Sequence, residues 1–201
     1  MCLPPQTSAC ASLSLPPRSM SVITFDLEIA VPVEEVSGGW EAVRRGDAGV
    51  SCLCLYDTSS SRYHVYDEHD LEEGMAHLNE ADLLVGFNSI SFDTPIMESI
   101  TGYTVNPIQY DILAEVWRAL PSRQKGYRLA EICDRLALGT KVQTGESAPN
   151  LYRSGRMGKL IDYCIQDVHL TRKLANWINT NGYIMTPEYE PLEVSRIEVE
   201  V

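Results

Sequence analysis

SVITFDLEIAV, residues 21–31, is the stretch from which the fold is read. It reads as a strand, and strand side chains alternate between two faces. Ile23, Phe25, Leu27, Ile29 and Val31 share one wholly apolar face, while Val22, Thr24, Asp26, Glu28 and Ala30 share the other. Asp26 and Glu28 therefore stand side by side in the middle of a strand expected to be buried. Two such carboxylates repel each other and lose hydration, so they require a cation or a shared proton. An exposed edge strand with harmless acids carries the same pattern, so the pair alone decides nothing.

Downstream, residues 32–48 read as a loop with Pro32, Gly38, Gly39 and Gly46. Residues 49–57 and 62–67 read as two further strands joined by a turn, 70–81 as a helix with Asp70 at its N-cap, and 81–88 as a buried strand. Helices follow at about 94–101, 112–120, 128–137 and 156–180. Three strands, a helix, a fourth strand and then helices predict an α/β fold, a mixed sheet flanked by helices. Residues 1–20 are rich in Pro, Ser and Ala without periodicity; they are expected to be a disordered leader, with Met20 a candidate true start. The domain is expected over 21–182, and 183–201 as a tail that adds an edge strand or hangs free.

The last long helix places an acid on an apolar stripe. Leu160, Tyr163, Asp167, Leu170 and Leu174 follow one another at three- or four-residue spacing. A carboxylate on an inward-facing line needs a partner. Tyr163 lies one turn earlier on the same line, where a core tyrosine is the commoner role. A third candidate segment is GFNSISFD, 86–93, directly after the buried strand; loops at strand ends are where sites are built. Asp93, followed by Thr94 and Pro95, also reads as a helix N-cap.

The net charge of −12 argues against a nucleic-acid partner until its distribution is considered. Residues 118–173 hold 11 of the 16 Lys and Arg but 5 of the 28 Asp and Glu, whereas 1–117 hold 4 basic and 18 acidic residues. A basic C-terminal half beside an acidic N-terminal half suits phosphate contacts around a carboxylate site, although charge alone favours a plain solvated helix surface. No apolar run reaches the ~18 residues of a membrane span. The six cysteines form no C-x-x-C pair, and Cys52 and Cys54 fall on one strand face; they are read as reduced, in a cytoplasmic protein.

Taken together, these segments resemble the DEDD 3′→5′ exonucleases of the ribonuclease H-like superfamily, in their tyrosine branch. Phe25-Asp26-Leu27-Glu28 matches the first motif, Asn88 to Phe92-Asp93 the second, and Tyr163-x-x-x-Asp167 the third. The histidine branch would need His where Asp162 stands. The resemblance is to exonucleases similar to the proofreading domain of family-B DNA polymerases, and it covers roughly 21–182. It implies a ribonuclease H-like mixed sheet and hydrolysis at the 3′ end of nucleic acid, single-stranded or frayed DNA foremost and RNA as an alternative. It also implies two cations, Mg²⁺ or Mn²⁺, roughly 4 Å apart. Asp26 would bridge both ions, Glu28 and Asp167 would help hold the nucleophile-side ion, Asp93 would serve the other, and Tyr163 would orient water. Leu27, Asn88 and Phe92 would contact substrate, with the Phe92 ring stacking on a terminal base. Lys159, with Arg153 and Arg156, would meet phosphate, unless these residues are simply an exposed helix face. Proofreading, if any, would be done in trans with a replication protein. An inactive nucleic-acid-binding module and a structure-specific endonuclease or ribonuclease on the same fold are the competing readings.

Overall fold

In the computed structural model, which describes residues 20–140, 147–197, 199 and 201, β1 (Val22–Ile29) lies inside a five-stranded sheet. The sheet order is β3-β2-β1-β4-β5. β2 (Val50–Asp57) is antiparallel to β1 and to β3 (Arg62–Asp67), whereas β4 (Leu83–Gly86) and β5 (Ile108–Asp111) run parallel to β1. This is the mixed sheet of the ribonuclease H-like fold. Asp26 pairs with Cys54 and Glu28 with Cys52, so both acids face the same side as those two cysteines.

The odd-numbered face of β1 behaves as its pattern requires. Ile23, Phe25, Leu27 and Ile29 join Leu53, Leu55, Met75, Leu78, Ile96 and Met97 in one core cluster. Each such side chain stabilises the fold by roughly 1.5–3 kcal/mol through burial. The cluster is covered by α1 (Gly39–Arg44), α2 (Leu71–Leu78) and α3 (Asp93–Thr101). On the opposite face lies α7 (Met157–Asn181), whose Leu160, Cys164 and Val168 pack with Cys52 and Cys54. Farther along α7, Leu170, Leu174 and Ile178 pack with Val22, Val85, α4 (Ile112–Ala119) and α5 (Leu129–Arg135). Gly182 ends the helix in the left-handed conformation (φ 79°), its N–H reaching Ile178 O at 2.7 Å.

The structure adds elements to those expected. The segment read as a loop, 32–48, contains a 3-10 turn (Val33–Glu35) and α1. β5 and α6 (Ala148–Arg153) were not anticipated. Asp70 precedes α2, but its side chain makes no capping bond. Beyond α7, β6 (Tyr183–Met185) and β7 (Pro191–Glu193) form a separate hairpin. The chain end then packs along α7: Asn176 Nδ2 donates to Val201 O at 2.8 Å, and Asn179 Oδ1 accepts from Ile197 N at 3.0 Å. Apart from Met20, the expected leader lies outside the described residues. Among those described, no helix is long and apolar enough to cross a membrane.

Candidate metal-binding carboxylate site

The face of β1 turned to α7 carries Asp26 and Glu28, both half-buried. α7 brings Cys164 against them: its Sγ donates to Asp26 O at 3.3 Å and lies 3.7 Å from Asp26 Oδ2. One ligand atom from each of Asp26, Glu28 and Cys164 falls within 4.8 Å of the others. One turn of helix farther on, Asp167 is buried at 6% exposure, and it shares with Asp26 the wall of an open cleft of about 670 Å³.

Asp93 comes from the third segment. Its N-cap reading is not what the structure shows: Phe92 occupies the cap and Asp93 is the first helical residue. Its side chain is buried, and Oδ1 accepts from the backbone N–H of Leu27 at 3.1 Å. The β4–α3 loop makes this reach possible. A Cβ on Gly86 would lie 2.3 Å from Ser89 Oγ, so only glycine lets the chain turn there. Asn88 adopts φ 67°, a conformation asparagine tolerates better than most residues. Asp111 then holds the loop: Oδ1 accepts from Asn88 N at 2.8 Å and Oδ2 from Ile90 N at 3.1 Å. The same carboxylate caps α4 through Leu113 N and Ala114 N.

Removal from water, aided by the negative charges of Asp111 and Asp167, pushes Asp93 up to about 7, against the lowering effect of the Leu27 N–H. Asp26 and Asp167 thus line the cleft, Glu28 stands beside Asp26, and Asp93 is fastened to the strand between these two acids, within reach of the Asp167 charge. The donor set is hard oxygen, which suits Mg²⁺ or Mn²⁺. The soft Cys164 thiol is the exception, and burial pushes it well above its ordinary range, which keeps it protonated.

The remaining anticipated residues are placed as follows. Tyr163 is half-buried, one turn before Asp167. Asn88 lines the cleft beside Phe87. The Phe92 ring is partly buried and meets the exposed Trp40 edge-on, with centroids 5.9 Å apart. The Leu27 side chain is buried in the core on the opposite face; only its backbone N–H serves the site. Lys159 is exposed on α7. Arg153 makes a two-pronged ion pair with Glu35, at 3.1 and 2.7 Å, and Arg156 Nε donates to Ser154 Oγ at 3.0 Å. Arg153 thus has an exposed carboxylate partner on this surface.

Sequence reasoning passed over the other cleft residues: Trp117, Gln124, Lys125, Tyr127 and Arg128 line it, on α4 and the connection to α5. The signal available was the basic run from Arg118 to Arg135, noted only as charge. Asp111 was also overlooked, although an acid directly before a helix start is a legible N-cap.

No family model matches the chain, and no curated protein sequence matches it. Among solved structures, the fold is similar to that of the family B DNA polymerase from the hyperthermophilic archaeon Pyrobaculum calidifontis, with a TM-score of 0.61 at 18% sequence identity. The likeness covers 81% of this chain and 25% of the polymerase chain, so this protein spans about a quarter of that protein's length.

Proposed function

We propose that this chain is a metal-dependent 3′→5′ exonuclease of the DEDD type, in its tyrosine branch, acting on single-stranded or frayed DNA. The carrying observation is that Asp26 and Asp167 line one cleft together with Lys125, Arg128, Trp117 and Tyr127, with Glu28 beside Asp26 and Asp93 bonded to the strand between them. Such a cluster is costly in a purely structural protein, and a basic, aromatic wall is what a phosphodiester chain with stacking bases requires.

The four carboxylates would hold two divalent cations, which supply Lewis-acid polarisation of the phosphate and a readily deprotonated water. The chain's own residues do the rest. Leu27 N–H and the Asp111-bound loop fix Asp93 against β1. A tyrosine hydroxyl is a poor base, so Tyr163 acts by orienting the attacking water and not by removing its proton. Lys125 and Arg128 hold backbone phosphates, and Trp117 offers an aromatic edge to a base. Any proofreading partner would be a replication protein acting in trans.

Polarity is the test. A linear single strand labelled at its 5′ end should shorten stepwise, while a 3′-blocked strand and a circular strand resist. Rapid cutting of the circle contradicts the exonuclease reading and supports an endonuclease on this fold.

A further inference from the structure

A second set of ligating side chains lies on the other face of the sheet. Asp57 ends β2, His64 is in β3, and His77 is in the last turn of α2. By strand alternation Asp57 points to the same side as Leu53 and Leu55, away from α7 and from the carboxylate site. One ligand atom from each of the three residues lies within 4.8 Å of the other two. His77 Nε2 is 3.7 Å from Asp57 Oδ2, a few tenths of an ångström beyond the ~3.3 Å between two ligands of a tetrahedral zinc. The two imidazole rings meet edge to face with centroids 4.6 Å apart.

Each of these residues has an outer partner that orients it, as metal ligands do. Tyr66 Oη lies 2.7 Å from His77 Nδ1, which ties up that nitrogen and leaves Nε2 turned to Asp57. Asp57 Oδ1 accepts from Ser59 N at 2.8 Å, and Oδ2 accepts from Ser59 Oγ at 2.7 Å. Ser60 Oγ is 3.2 Å from His64 Nε2. Burial, with His77 beside it, holds His64 below its ordinary range. The Arg62 charge reaches His64, while Asp57, Glu73 and Glu80 act on the neighbouring Tyr66 and make the wider surroundings acidic. Two imidazoles and one carboxylate suit a first-row transition metal and suit Mg²⁺ poorly. The half-buried histidines leave the cluster reachable from solvent.

We propose that Asp57, His64 and His77 form a second metal site, for Zn²⁺ or a similar first-row dication, which clamps the β2–β3 hairpin to α2. It is independent of the carboxylate centre and of the proposed activity.

The test is a titration of the protein with Co²⁺ in excess Mg²⁺, read by visible d–d absorption. The band should saturate at one equivalent, persist in Glu28→Ala and vanish in both His64→Gln and His77→Ala. Saturating Zn²⁺ should raise the melting midpoint of the wild type by roughly 5 °C or more, and neither histidine variant should show that gain. The midpoint in EDTA shows whether each variant is folded; His64 is half-exposed on an edge strand, so His64→Gln is the safer of the two. A wild type with no visible band overturns the site, as does a band that survives in both histidine variants.

Discussion

Asp93 Oδ1 takes its hydrogen bond from the backbone N–H of Leu27, the residue between Asp26 and Glu28. A carboxylate 66 residues away is thereby fastened to the strand that carries the other two acids. The bond keeps a buried donor satisfied while holding Asp93 near charges that repel its own.

Two substitutions separate these effects. Asp93→Asn keeps an acceptor for Leu27 N–H and removes the charge, so the metal-free protein should be as stable as wild type or more so. Asp93→Ala leaves that donor unpaired in the interior and should cost about 1–3 kcal/mol. Both should abolish turnover. Urea unfolding in EDTA gives the stabilities; equal losses for the two variants would show that the hydrogen bond is immaterial.

Stability should depend on pH through the same group. The folded state holds the Asp93 proton up to about pH 7, whereas the unfolded chain releases it near the ordinary value of 3.8. The stabilising contribution is complete below pH ~4, declines as pH rises, and is gone above about 7. Measured against Asp93→Asn without metal, wild type should lose up to about 1.4 kcal/mol per pH unit across that window and nothing further above it. A difference that stays flat from pH 4 to 8 contradicts the assignment.

Tyr163→Phe removes a hydroxyl and keeps the packed ring. Turnover should fall roughly 10²-fold, typical of a lost positioned group. The rise in melting midpoint on adding Mn²⁺ should be unchanged. If activity and metal stabilisation fall together, the hydroxyl supports the metal site and is not a water-orienting group.

Lys125 and Arg128 are assigned to phosphates. Removing either should weaken binding of a single strand regardless of sequence and flatten the slope of log K against log salt by ~0.7. Fluorescence anisotropy with an Asp26→Ala background, which prevents digestion, measures this. An unaltered slope in both variants would remove this cleft wall from the substrate path.

The sequence carried the centre of the fold better than its margins. β1 was legible because its alternation is unbroken over eight residues, and α7 because its apolar stripe runs for several turns. β5 was not: four residues preceded by Pro107 carry no usable period, and Ile108 is 74% exposed. α1 was hidden because Gly38 and Gly39, which favour turns, stand at its N-terminus. In the site, Asp167 was visible because it interrupts an apolar stripe, whereas Asp26, Glu28 and Asp93 stood out only through the order of the three motifs they share with it. Leu27 shows the limit of that logic: its side chain belongs to the far core, and its backbone N–H, which no side-chain pattern reveals, serves the carboxylates. The cleft wall from Trp117 to Arg128 stayed hidden because it is assembled by the placement of α4 and α5 and follows no spacing rule.

The most direct measurement is the digestion of a 5′-labelled single strand by wild type and Asp26→Ala, each with Mg²⁺, with Mn²⁺ and with excess EDTA. Wild type with either metal should give a ladder shortening from the 3′ end. It should digest nothing in EDTA, and a folded Asp26→Ala protein should digest nothing under any condition. Undiminished digestion in EDTA, or near-normal activity of Asp26→Ala, would contradict the claim that these carboxylates hold the metals that cut nucleic acid.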